Sequence, residues 1–383
     1  MSHDRPLDPA SIADNAGTIG RRRFLRSATA VSGFAASVPV LTASGAAAAD
    51  AVGPSPTPVP SKGMWLVLLG TAAGPVPFTG RTGVASALVL DGRIYLVDLG
   101  HGSFDQFHRA GLSPDNLAGV YITHMHSDHI ADLYQLLWLR TGGFQPLTHP
   151  MNIYGPGRAG GLPTPYPPDR AVTTVNQSNP TPGLTDFINT SIEATAYDIN
   201  IRMRDEAWPD IRTMVRPHDI ALPEVGASPT GNLAPPMKPF TIVDDGHVKV
   251  SAILVHHPPV FPSYAFRFDT AYGSVVFSGD TSPTANMVTL ARGADVLVHE
   301  AMELEVVKTV GQLNAEQLQH QENAHTDVTK LGPIAQEAGV KTLVLSHLVP
   351  GTTQLPDALW KEKAQRGFSG RVIVGRDLMR IRV

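Results

Sequence analysis

The sequence contains no cysteine. That absence removes disulfide staples, thiolate metal sites and cysteine nucleophiles together, and leaves stability to the core. A surplus of one charge is also lacking. The 383 residues carry 30 Lys and Arg against 34 Asp and Glu, a formal net charge of −4. Such a chain has no broad electrostatic footprint for nucleic acid, although a local basic patch stays open. Tandem repeats are absent, and so is a membrane-spanning run beyond the N-terminal region. What is present, 42% apolar and 17% charged residues, suits a soluble globular protein of one large or two ordinary domains. Glycine and proline are plentiful, 35 and 33, so many turns are expected.

The N-terminus has the pattern of an export leader. Arg21 to Arg26 read "RRRFLR", a mildly apolar stretch follows from Ala28 to Leu41, and Ala47-Ala48-Ala49 offers small residues for cleavage before Asp50. This resembles a twin-arginine (Tat) signal, which implies the Tat machinery as a partner and a periplasmic or secreted protein. Removing residues 1–49 takes away Arg5, Arg21, Arg22, Arg23 and Arg26 with Asp4, Asp8 and Asp14. The mature chain would keep 25 basic and 31 acidic residues, a balance of −6. Residues 50–63, "DAVGPSPTPVPSKG", form a Pro/Ser-rich linker without periodicity. The folded domain is expected over 64–383.

Within it, short apolar runs of strand length recur, among them "MWLVLLG", "ASALVL", "RIYLVDLG", "GVYITH", "VSAILVHH", "SVVFSGD", "ADVLVHE" and "KTLVLSH". Helical patterns lie between some of them: "IADLYQLLWLR", "TSPTANMVTLARG" and "HTDVTKLGPIAQEAG". In the last, Thr326 or Asp327 is the expected N-cap and Gly339 the expected stop. Alternating strands and helices predict an α/β architecture. Residues 145–245 are Pro-rich with weak periodicity and read as an insertion, an arm or lid over a site.

Six apolar runs end on a chemically capable residue: Asp98, His124, the pair His256-His257, Asp280, His299 and His347. In open α/β sheets the crevice beyond the strand ends is where ligands bind. Imidazoles and carboxylates are the ligands that a divalent ion takes when thiolates are lacking. The densest part is "HMHSDH", residues 124–129. His124 and His126 can reach one ion. Asp128 and His129, entering the next helix near Ile130, point elsewhere and can serve a second.

"HMHSDH" resembles the signature of the metallo-β-lactamase fold superfamily. "YLVDLG" before it and "IYGPGR", "SGDT", "VHEA", "HTD" and "LSHLVP" after it match in order. Within the superfamily the chain looks closest to the ribonuclease Z branch and related exported arylsulfatases. The resemblance implies an αββα sandwich, two mixed β-sheets packed together with helices on the outer faces. It also implies two Zn²⁺, with Mn²⁺ or Fe²⁺ as alternatives. His124, His126 and a histidine of "VHHPP" would hold the first ion, with His257 preferred over His256. Asp128, His129 and His347 would hold the second, and Asp280 would bridge. Asp98 would orient a ligand histidine. His299 and Glu300 would line the site, and His325 would give a proton to the leaving group.

These residues imply hydrolysis of an ester by a metal-bridging hydroxide that Asp128 orients. The leader and the acidic mature balance favour a small sulfate or phosphate (di)ester, an arylsulfatase or phosphodiesterase reaction. The alternative is a ribonuclease Z-like 3′-tRNA processing endoribonuclease, against which export and the lack of a visible basic arm argue. A lactonase and a non-catalytic metal-binding scaffold are the further alternatives. A homodimer is an option the sequence leaves open.

Overall fold

The computed structural model describes residues 59–142, 147–310 and 312–383. The expected leader and residues 50–58 of the linker lie outside the described residues. The first sheet contains β1 (Met64–Gly70), β2 (Ala85–Leu90), β3 (Arg93–Val97), β4 (Leu117–Tyr121), β5 (Met151–Pro156) and β6 (Val215–Ile220). The second contains β7 (Phe240–Asp244), β8 (Val248–Leu254), β9 (Tyr264–Thr270), β10 (Gly273–Phe277), β11 (Val296–Met302), β12 (Thr342–Val349) and β13 (Arg371–Val374). The last strand, β14 (Met379–Arg382), returns to the first sheet. The strand orders are β14-β1-β2-β3-β4-β5-β6 and β13-β12-β11-β10-β9-β8-β7. Each sheet is mixed. The pairs from β3 to β6 and from β10 to β13 are parallel, and the others are antiparallel.

Side-chain alternation explains why the sheets stack. Successive residues of a strand point to opposite faces. In β1, Leu66 and Leu68 face the second sheet in a shared core with Val250, Phe266, Phe268 and Val344. Val67 and Leu69 face the other way, against Phe107, Leu133, Leu136 and Leu137 of helices Ser103–Arg109 and Leu133–Thr141. The second sheet repeats the arrangement, with Val276, Leu297 and Leu343 packed against Met287, Leu331, Ala335 and Trp360 of its own helices. Both faces of the central strands are therefore buried. That is why "MWLVLLG" reads as a continuous apolar run rather than an alternating one. Each such leucine contributes about 1.5–3 kcal/mol by leaving water. The result is the four-layer αββα sandwich that the motifs imply.

The structure differs from the sequence expectations in three places. First, residues 147–245 supply β5, β6 and β7 and helices Leu184–Ala194 and Ala196–Asp205, so much of this stretch belongs to the scaffold. Second, "IADLYQLLWLR" is not one helix. A single turn, Ser127–Ile130, is followed by a break and then Leu133–Thr141. Asp132 sits at the break, with its Oδ2 accepting from Phe104 N at 2.9 Å and its own N donating to Leu99 O. Third, β11 and β12 run on past His299 and His347. Of the two N-cap candidates for Val328–Ala338, Asp327 is the one used and accepts from Thr329 N at 2.9 Å, and Gly339 ends that helix at φ 66° as expected.

Candidate metal centre

The centre lies beyond the ends of β3, β4, β8 and β10 and is built from the backbone outward. Past Tyr121 the chain is pinned on both sides. Ile122 N donates to Tyr154 O at 2.8 Å, and Tyr264 N donates to Thr123 O at 2.9 Å. This fixes the turn that carries His124 and His126. His126 stands just before helix Ser127–Ile130, whose single turn carries Asp128 and His129. Six residues thus deliver four donors without a long loop.

Asp98 follows β3 in the left-handed region, at φ 57°. Its Oδ1 accepts from Thr123 N at 2.8 Å, and its Oδ2 faces His129 Nδ1 at 2.8 Å. A carboxylate can only accept here, so the His129 proton sits on Nδ1 and the lone pair points inward from Nε2. His257 is ordered in the same way. Its Nδ1 donates to Ala324 O at 2.9 Å, and its Nε2 lies 3.3 Å from His126 Nδ1. His256 points elsewhere, with its Nδ1 2.8 Å from Ser282 Oγ.

His347 reaches the site through an irregularity in β12. Glu300 pairs with Ser346 and Ala301 with Leu348, so His347 is an extra residue in the ladder, at φ 42°. Such a bulge re-aims one side chain without ending the strand. Before Asp280 the turn depends on Gly279, at φ 57°, where an added Cβ would stand 2.7 Å from Tyr264 O. Asp128 is approached closely by backbone as well. Gly74 N donates to its Oδ2 at 2.9 Å, and a Cβ on Gly74 would lie 2.2 Å from the Asp128 Cβ.

Everything converges on Asp280 Oδ2. His347 Nε2 lies 3.2 Å away, His129 Nε2 3.3 Å, His124 and His257 Nε2 3.9 Å, and His325 Nδ1 4.0 Å. Three donor groups result: His124, His126, His257 and Asp280; Asp128, His129 and His347; and Asp280, His325 and His347. Buried polar atoms are normally paired, yet His124 Nε2, His129 Nε2 and Asp280 Oδ1 are buried without a hydrogen-bond partner. Lone pairs left over and aimed at one another are what a cation satisfies. The donor set of nitrogens and carboxylate oxygens fits a divalent ion of the zinc class.

The electrostatics agree with that fit. Burial pushes the imidazoles of His124 and His257 well below their ordinary range, and His126 down to about 4. They are neutral at pH 7, the form that ligates. His129 differs: burial works to lower it, but Asp280, Asp98 and Asp128 outweigh it and hold that ring well above, so without a cation the carboxylates draw a second proton onto Nε2, which an entering metal ion would displace to expose the lone pair. For Asp280, burial alone would raise the carboxyl; His347 and His129 instead hold it well below.

His299, Glu300 and His325 form the wall behind Asp280. Glu300 Oε1 accepts from Thr326 N at 2.9 Å and from Thr281 N at 3.2 Å, which ties the His325 loop to the Asp280 loop. His299 Nδ1 donates to Glu300 O at 2.8 Å. His325 Nδ1 lies 3.3 Å from Glu300 Oε1. Burial opposes charge on His325, but Glu300 and then Asp280 push it up to about 9.

One further histidine stands beside the centre. His320, which closes no apolar run and belongs to no motif, is half-buried, and its ring centroid lies 6.3, 6.0 and 5.9 Å from those of His126, His257 and His325. Its helix, Ala315–Ala324, has one buried residue, Ala324. No apolar stripe in the sequence marks which face turns inward. His101, His108, His149, His218 and His247 are exposed.

Comparison with known proteins places this geometry in context. The family model described as "Anti-Pycsar protein Apyc1" matches residues 64–157. Ribonuclease Z of Mycobacterium avium (strain 104) is 30% identical over 321 residues, covering 83% of this chain and 98% of the relative. Among solved structures, human tRNase Z, short form, superposes with a TM-score of 0.55 at 22% identity, covering 83% of this chain and 98% of that one. The metallo-beta-lactamase fold protein YhfI from Bacillus subtilis gives 0.53 at 19% identity, covering 83% and 99%.

Proposed function

This chain belongs to the ribonuclease Z family and is a metal-dependent hydrolase of the metallo-β-lactamase fold, and on that premise we propose that the bond it breaks is a phosphodiester. The observation that carries the reading is the set of four imidazole nitrogens, from His124, His129, His257 and His347, within 3.9 Å of Asp280 Oδ2. It surrounds a carboxylate with the donors of a metal centre that hydrolyses esters, and the ribonuclease Z relatives favour a phosphodiester among them. We assign His124, His126 and His257 to one zinc ion and Asp128, His129 and His347 to a second, with Asp280 shared. Divalent ions held there would supply the charge that polarises a phosphoryl oxygen and activates water at neutral pH.

The protein's own residues do the rest. Asp98 and Ala324 O fix the tautomers of His129 and His257. Asp128, held by Gly74 N, orients the attacking water through its carboxylate. His325 turns Nδ1 to Glu300 and offers a proton from Nε2 to the leaving oxygen. Glu300 keeps that ring in place.

RNA is the substrate that the relatives' name supports, ahead of a small sulfate ester. A second reading, a small phosphodiester hydrolysed outside the cytoplasm, has an observation of its own. Arg158 and Arg170, the cations of the 157–182 segment, are engaged with Asp186 and Glu316 at 2.6 and 2.7 Å. The twin-arginine pattern of residues 21–26, which we propose directs export, supports it too. Purified, metal-analysed protein assayed on a precursor tRNA, bis-p-nitrophenyl phosphate and p-nitrophenyl sulfate tests the proposal. Cleavage of either phosphodiester ahead of the sulfate is expected. Turnover of the sulfate alone would overturn it.

A further inference from the structure

A second cleft adjoins the metal centre. It encloses about 210 Å³. One wall is Met125, which stands between His124 and His126. Another is Pro259 to Pro262, which follows His257. The proline-rich turns at 157–163 and 180–182 close it from the other side. None of the lining residues is charged, and Thr181 is the one polar side chain among them. Leu162 is 48% exposed at its mouth, while Val260 and Phe261 are half-buried within it.

We propose that this cleft is a subsite for an uncharged hydrocarbon ring carried on the ester whose phosphate lies at the metal centre. The inference rests on the second reading, a small phosphodiester rather than RNA, and narrows its substrate class. Three observations lead to it. Met125 is the chain neighbour of both His124 and His126, and Pro259 stands two residues after His257, so the cleft lies beside the centre and one molecule can reach both. Its walls lack a cation, so a second phosphate entering it would lose water without gaining a partner. Six prolines shape much of it, and such walls lose little freedom when a flat group settles against them. A nucleobase fits less well than a hydrocarbon ring. Its edge donors and acceptors would meet one hydroxyl and be left unpaired.

The test uses the full, metal-loaded chain and probes that cannot be hydrolysed. Calorimetric titration compares phenylphosphonate, methylphosphonate and adenosine 5′-monophosphate. Phenylphosphonate is expected to bind roughly ten- to a hundredfold more tightly than methylphosphonate, the selectivity an apolar pocket supplies. Leu162→Asp, on an exposed turn, is expected to bring the ratio near one. Leu162→Ala, a milder change, is expected to bring it part of the way, and circular dichroism checks that both variants are folded. Equal binding of the two phosphonates, failure of both to bind, or a ratio unmoved in folded Leu162→Asp would overturn the assignment. Adenosine monophosphate binding as tightly as phenylphosphonate would overturn it too, in favour of a base. Because no bond breaks, the result stands apart from catalysis. A preserved phenyl preference with no phosphodiester turnover would defeat the function reading and leave the subsite.

Discussion

Asp98 touches no substrate and belongs to no donor group, yet Asp98→Asn should damage the metal centre. The carboxylate is 3% exposed. It accepts from Thr123 N at 2.8 Å and Thr123 Oγ1 at 2.9 Å, and it holds the proton of His129 Nδ1 at 2.8 Å. Asparagine keeps the shape and can still accept from Thr123 through its oxygen. Its amide nitrogen then faces His129 Nδ1, and two donors oppose each other. The imidazole relieves this by moving its proton to Nε2, the atom that lies 3.3 Å from Asp280. The inward lone pair is lost. Removing a group that orients a ligand histidine costs about 10–100-fold in metal affinity, or about 1.4–2.8 kcal/mol at 1.4 kcal/mol per factor of ten. Competition against a chelating dye reads this directly, with zinc titrated into wild type and variant. Thermal unfolding of both apo forms checks that the fold is retained. Wild-type zinc affinity in folded Asp98→Asn would refute the tautomer argument and, with it, the placing of His129 among the ligands.

Three other substitutions probe the same architecture. Gly74→Ala puts a methyl group 2.2 Å from the Asp128 Cβ. It is expected to displace that carboxylate and lower kcat by at least tenfold, measured on bis-p-nitrophenyl phosphate, with the melting temperature lowered as well. A fully active variant would show that Asp128 has room to move. His257→Ala should lower bound metal, measured by elemental analysis, whereas His256→Ala, which removes a bond to Ser282, should leave it near the wild-type level. The opposite order would exchange their roles.

The sheets and the donors differ in how much of each was legible in the sequence. Strands such as Met64–Gly70 and Ala85–Leu90 are covered on both faces, so their apolar runs stand out without any partner in view. The second edge of the first sheet is hidden for the opposite reason. β6 reads "VRPHDI" and pairs only with β5. An edge strand tolerates Pro217 and exposed charges because one side of its ladder faces no neighbour. β7 lies at the edge of the second sheet in the same way. Helices Leu184–Ala194 and Ala196–Asp205 bury only Leu184, Ile188 and Ile199, too few to print a stripe. At the site, "HMHSDH" announces itself by density, and Asp98 and Asp280 by ending apolar runs. His347 is aimed by a bulge that depends on how β11 and β12 pair. Pairing register is a property of two strands, and neither sequence states it alone. His320 is further from view, because only the docking of its helix brings it beside His126 and His257.

The central claim is that the donors around Asp280 hold the ions that make this protein a phosphodiester hydrolase. Its most direct test is turnover of bis-p-nitrophenyl phosphate before chelation, after dialysis against a strong chelator, and after zinc is returned, with metal content measured at each stage. Activity that disappears with the metal and comes back with it, and that does not come back in Asp280→Ala, is expected. Turnover that survives complete removal of metal, or full recovery in Asp280→Ala, would contradict it.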